Sequence, residues 1–183
     1  MTTRIAKTPP FDIGRVAGFT FLFYIMAGLT SMALGSQSPY TDLLSLLQSF
    51  SALVLGVTFY ALTREQGPVL ALFALTCRIA EAIQYGESAI YFAVGSLFFS
   101  WLLLRGRLIP TILAQLGVIA SVLLVVILPL QLAGLLGGST SWASSVTWLI
   151  WLPMLIFEVT LALWLMIKGI KMEPWEKRTL ELV

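Results

Sequence analysis

Apolar residues fall in six long runs separated by short polar stretches: 16–34, 43–62, 68–85, 89–104, 109–136 and 146–167. The breaks are Ser36-Gln37-Ser38-Pro39-Tyr40-Thr41-Asp42, Gly86-Glu87-Ser88, Arg105-Gly106-Arg107 and Gly137-Gly138-Ser139-Thr140-Ser141, with Arg64 between the second and third runs. Most runs approach the roughly 20 residues that cross a bilayer as a helix. None shows the period-two alternation of a membrane barrel, and a helix satisfies its backbone polar groups internally. The pattern therefore predicts an all-α polytopic transmembrane bundle of six helices, forming a single domain over residues 1–183. The fourth run is short and the fifth long, and Pro129 and Pro153 are expected to kink the fifth and sixth helices. The third and fourth runs also suit one re-entrant pair. Two full spans are preferred, because Gly86-Glu87-Ser88 reads as a tight exposed turn. Short loops favour antiparallel packing of consecutive helices. The charged tail 171–183, with Trp175, is expected to lie at the headgroup surface.

Basic residues give an independent reading of topology. Arg4, Lys7, Arg15, Arg64, Arg105, Arg107, Lys168, Lys171, Lys177 and Arg178 fall on one side of the six-span arrangement, which is ten of the eleven Lys and Arg. The three loops on the other side have none. By the positive-inside rule, both termini are expected in the cytoplasm. A signal peptide is the competing reading of the first run, with Ala33-Leu34-Gly35 as a cleavage-like site. The length of the run and Tyr24 within it favour a retained helix.

Composition narrows the chemistry. Of 183 residues, 58% are hydrophobic and 11% charged, which leaves too little polar surface for a soluble enzyme, a disordered chain or a nucleic-acid-binding module. The net charge of +2 is also too small to suggest nucleic acid as a partner. There is no His, so His metal sites, imidazole bases and Ser-His or Cys-His pairs are excluded. Cys77 is the single cysteine, so an intrachain disulfide or a thiolate zinc site is excluded too. No cofactor is expected.

The eleventh basic residue, Arg78, lies near the middle of the third run, where charge is costly. Glu81 follows at i+3 on the same helix face, Tyr85 continues that face at i+7, and Gln84 is turned aside. Glu158 lies near the middle of the sixth run, with no basic residue within a turn. It is expected to approach Arg78, which would then sit between two carboxylates, with one acid keeping its proton. Such a cluster reads either as a functional site or as an ion-pair group fixing helix register. Tyr24, Gln48, Tyr91 and Gln131 are further polar groups within spans, suited either to lining a cavity or to interhelical hydrogen bonds. Gly14, Gly18 and Gly28, with Ser31, suit close packing. Trp101, Trp142, Trp148, Trp151 and Trp164 suit interfacial belts or the core. Asp42 and Glu87 are expected to be solvated, and Cys77 to be a small packing residue.

Four stretches carry a family resemblance: Arg15-Val16-Ala17-Gly18, Cys77-Arg78-Ile79-Ala80-Glu81-Ala82, Trp101 to Pro110, and Leu152-Pro153 through Phe157-Glu158 to Trp164 and Lys168-Gly169. With these the chain resembles an uncharacterised bacterial family of multi-pass membrane proteins, the domain of unknown function 4386 type. The chain is shorter than typical members around the first outer loop. The resemblance implies a multi-pass protein of a bacterial inner membrane, and it places Arg78, Glu81 and Glu158 in the family pattern. It implies no activity.

Three classes of function fit these residues. The first is an intramembrane acid–base enzyme of isomerase or cyclase type, acting on a lipophilic small molecule. Glu158 and Glu81 would be its acid and base, Arg78 the organiser, and Tyr85, Gln84, Tyr91, Tyr24 and Gln48 substrate-binding groups. The second is a non-enzymatic module binding a lipophilic ligand or a partner protein. The third is a small proton-coupled transporter, which would need a homodimer because no internal repeat is visible. Membrane lipid is the expected surrounding in all three.

Overall fold

The structure, a computed structural model, describes residues 12–35, 38–83, 88–135 and 145–170. Its elements are α1 (Ile13–Leu34), α2 (Tyr40–Thr63), α3 (Pro68–Ile83), α4 (Ser88–Arg105), α5 (Thr111–Leu132) and α6 (Ser145–Lys168), with no strand among the described residues. Local chemistry sets several of their ends. Asp12 caps α1, its side chain accepting from the Arg15 backbone N–H at 3.3 Å. Pro68 opens α3 at the first helical position, where a missing N–H leaves no bond unmade. Pro129 and Pro153 lie inside α5 and α6 without ending them. The fifth helix is shorter than its apolar run, expected to reach 136. Ala133 caps it, and Gly134, at φ 72°, turns the chain away.

Five of the six helices are long and apolar enough to cross a membrane. The exception, α3, has 16 residues, about 24 Å of helix against a hydrocarbon thickness of about 30 Å. The chain is accordingly a multi-pass membrane protein, with α3 as its short member.

The helices form a closed ring. Each packs on its neighbours in chain order, and α6 returns to α1. α2 and α4 also meet directly, so α3 lies in the groove between them rather than at an equal station. The α1–α6 seam closes on small residues, as membrane helices require when the hydrophobic effect does not drive them together. Cβ atoms at Gly18 and Gly14 would lie 2.8 Å from the Ala162 carbonyl oxygen and 2.6 Å from the Ile170 nitrogen. Both glycines are thus packing positions, as expected. Several hydroxyls within the spans return to their own helix: Ser51 donates to the Leu47 carbonyl, Thr63 to Phe59 and Ser121 to Gly117. These need no interhelical partner.

Arg15, Arg64, Arg105, Arg107 and Lys168 all fall at one end of the ring, where α1, α3 and α5 begin and α2, α4 and α6 end. The tail 171–183, with Trp175, and the basic residues Arg4 and Lys7 lie outside the described residues.

Candidate functional site

Arg78 enters the ring interior by a specific route. A Cβ at Gly56 of α2 would lie 3.0 Å from Arg78 Cβ, and one at Gly95 of α4 would lie 3.4 Å from Arg78 Cδ and 3.2 Å from Cys77 Cβ. The two glycines leave room for the arginine stem between α2 and α4. The guanidinium then lies 5.1 Å from the centre of the Phe92 ring and 5.4 Å from that of Tyr24, in cation–π contact with both. The residue is 3% exposed. Cys77 is buried beside it, in the packing role expected.

Glu81 is the counter-charge. Its Oε2 lies 2.8 Å from Arg78 Nη1, an ion contact not aligned as a hydrogen bond. Its Oε1 accepts a 2.8 Å hydrogen bond from the Tyr24 hydroxyl. Both carboxylate oxygens are thus engaged, one by charge and one by a phenol. The i, i+3 spacing predicts the first contact. Tyr24, on a different helix, is the partner that spacing does not supply.

Glu158 departs from expectation. It shares the depth of Arg78: Arg78 is ten residues after Pro68 and Glu158 ten before Lys168, each about 15 Å from the basic end of the ring. It does not join the ion pair. No basic side chain lies within 4.0 Å of it among the described residues, and its buried Oε1 has no hydrogen-bond partner there. The reason is lateral. α3 packs on α2 and α4, whereas α6 packs on α5 and α1, so equal depth places the two residues on opposite sides of the ring. The expected ion-paired triad is instead a closed Arg78–Glu81–Tyr24 group, with Glu158 across from it, beyond ion-pair distance but within electrostatic reach of Arg78 and Glu81.

Between them lies a cavity of about 380 Å³, at the low end of small-molecule sites. It occupies the half of the ring away from the basic end. Its walls come from the end of α1 (Tyr24, Ile25, Gly28, Leu29), the start of α2 (Gln48), the end of α3 (Glu81), the start of α4 (Ser88, Ala89, Ile90 and Phe92), the end of α5 (Leu128, Gln131) and parts of α6 between Thr147 and Glu158. Glu81 and Glu158 are its two acids. The Phe92 ring, 5.6 Å from that of Trp151, carries an aromatic surface from Arg78 toward α6.

Of the expected site residues, Tyr24, Gln48, Glu81 and Glu158 line this cavity, and Gln131 joins them. Arg78 stands behind Glu81. Tyr91 does not line it, since its side chain is 36% exposed on the outside of α4. Gln84 and Tyr85 lie outside the described residues, as do Glu87 and Trp142. Gly28 lines the cavity opposite the Gln48 side chain instead of meeting another helix backbone. Trp148 and Trp151 line the cavity, while Trp164 packs on the core and Trp101 is exposed. Gly56, Gly95 and Phe92 shape the site as well. A glycine within a bulky apolar helix, as in Leu55-Gly56-Val57 and Val94-Gly95-Ser96, is the signal of close approach that marks the first two.

A family model described as Domain of unknown function (DUF4386) matches residues 84–169. The match takes in α4, α5 and α6, just under half of the chain, and Glu158 falls within it. The resemblance read at Trp101–Pro110 and Leu152–Gly169 therefore has a counterpart in that family. No curated protein and no solved structure matches the chain.

Proposed function

We propose that this membrane protein holds a lipophilic small molecule in the cavity and performs acid–base chemistry on it, of isomerase or cyclase type, with Glu158 as the proton-exchanging group. One observation carries the reading. A carboxyl that is 7% exposed borders the cavity with an oxygen that no described group engages. An unsatisfied acid at mid-membrane depth is costly for a fold and is retained where chemistry uses it.

The step balances on one residue. The Glu158 carboxylic acid gives its proton to an alkene carbon or an epoxide oxygen, so that its O–H bond breaks and a new C–H or O–H bond forms. The ligand becomes cationic. The carboxylate then takes a proton from a neighbouring carbon, and the acid is restored with an isomer or a cyclised product released. Glu81 is less suited to the base role, because Tyr24 and Arg78 engage both its oxygens. Its part, with Arg78, is to hold a fixed polar wall opposite the acid.

The test needs no prior substrate. The protein in lipid nanodiscs is incubated with a membrane lipid extract in D2O. A protonation step at carbon leaves deuterium bound to carbon in a product that is otherwise isomeric with its precursor. The proposal expects such a species by mass spectrometry with wild-type protein and not with empty nanodiscs. If no extract yields either a lipid with carbon-bound deuterium or a new isomer of a lipid epoxide above the empty control, the enzymatic reading is wrong.

A further inference from the structure

Once Glu158 is ionised, the charges that the described residues bring to the cavity do not balance, and the imbalance points to a class of ligand. Three ionisable side chains of the described helices matter here. Arg78 and Glu81 on α3 neutralise each other at 2.8 Å. Glu158 on α6 is left over, 7% exposed. Of the other elements packed around it, α1 presents the Tyr24 phenol and α2 the Gln48 amide, while α4 and α5 bring no charged side chain to the cavity. The remaining described basic side chains sit at the opposite end of the ring.

A neutral ligand leaves the charge of the site unchanged. A monocation supplies the missing counter-charge to an ionised Glu158, in surroundings where an ion pair is screened little. The walls are suited to it as well. Phe92 and Tyr24 take the Arg78 guanidinium at 5.1 and 5.4 Å, and Trp151, its ring 5.6 Å from that of Phe92 and on the same helix as Glu158, carries the aromatic lining on toward the acid. Electron-rich rings facing a desolvated cation are a recognition surface of known strength.

We propose that the cavity is a binding site for a lipophilic monocation, with Glu158 as its counter-ion and the Trp151 ring as its aromatic wall. This inference rests on the reading of the cavity as a ligand site, and it names the charge that the ligand carries when held there. An organic ammonium and the cation formed when Glu158 protonates a neutral lipid share that chemistry. The site therefore takes lipophiles that are positively charged either permanently or during reaction.

Benzyltrimethylammonium and neopentylbenzene form a matched pair, identical in shape and differing by one charge. Binding of each to wild type, Glu158→Gln and Glu158→Asp in nanodiscs is followed by tryptophan fluorescence, since Trp148 and Trp151 line the cavity. Wild type is expected to bind the cation at least tenfold more tightly than the neutral isostere. Glu158→Gln loses that preference while still binding neopentylbenzene, and Glu158→Asp keeps it. Neopentylbenzene bound as well as or better than the cation by wild type would overturn the inference and leave the ligand cavity standing. Failure of wild type to bind either probe would remove both. A Glu158→Gln protein that keeps the cation preference would show that another group holds the charge, which also overturns the proposal. Should Glu158→Gln fail to fold, the wild-type ratio and Glu158→Asp decide.

Discussion

Arg78→Met destabilises the folded protein by about 3–5 kcal/mol, the loss expected when one partner of a buried ion pair is removed and the other stays enclosed. Glu81 is the group left behind. Its Oε2 loses the only basic side chain near it among the described residues, and at 7% side-chain exposure water does not substitute. The stem adds to the effect, because Gly56 and Gly95 are shaped around it. For a chain of this size the loss corresponds to a fall in Tm on the order of 6–20 °C, read by thermal unfolding in one detergent. The double variant Arg78→Met with Glu81→Leu separates the causes. With both charges gone, no carboxylate is stranded, and most of the lost stability returns. A double variant as unstable as Arg78→Met alone would assign the loss to packing at the two glycines.

Glu158→Gln lowers the rate of carbon-bound deuterium incorporation by about 10²–10⁴-fold, the usual contribution of a general acid or base. Glutamine matches glutamate in shape and so preserves the cavity wall, but it cannot donate and recover a proton at this position. Glu158→Asp retains part of the activity, because the carboxyl survives one methylene further from the ligand. Glu81→Gln has a smaller effect, since Glu81 acts through Arg78 and Tyr24 and not on the ligand. A rate unchanged in Glu158→Gln but abolished in Glu81→Gln would exchange the two roles.

Those contrasts follow from what a linear sequence does and does not encode. Helix number was legible because the bilayer sets the length of an apolar run. The sixth helix, expected at 146–167, is Ser145–Lys168. The fifth was overextended because leucines continue past Ala133, and hydropathy does not see the left-handed turn at Gly134. The Arg78–Glu81 contact was legible because residues three apart share a helix face. So was the common depth of Arg78 and Glu158, which is a matter of counting residues from the helix ends. Their separation was not, because the order of helices around the ring is a tertiary property and depth carries no information about it. The Tyr24 hydrogen bond was hidden for the same reason. α1 and α3 are not ring neighbours, yet the Tyr24 hydroxyl reaches Glu81 across the ring, beside the arginine whose stem passes between Gly56 and Gly95.

The division of the buried charges into a structural pair and a free acid makes Tm a direct test. Glu158→Gln removes a carboxyl that forms no ion pair among the described residues and has a buried oxygen without a hydrogen bond, so its Tm is expected to equal or exceed that of wild type, while Arg78→Met falls on the order of 6–20 °C below it under the same conditions. If Glu158→Gln instead fell as far as Arg78→Met, Glu158 would be part of the structural cluster, and the account of a solitary acid facing the cavity would be contradicted.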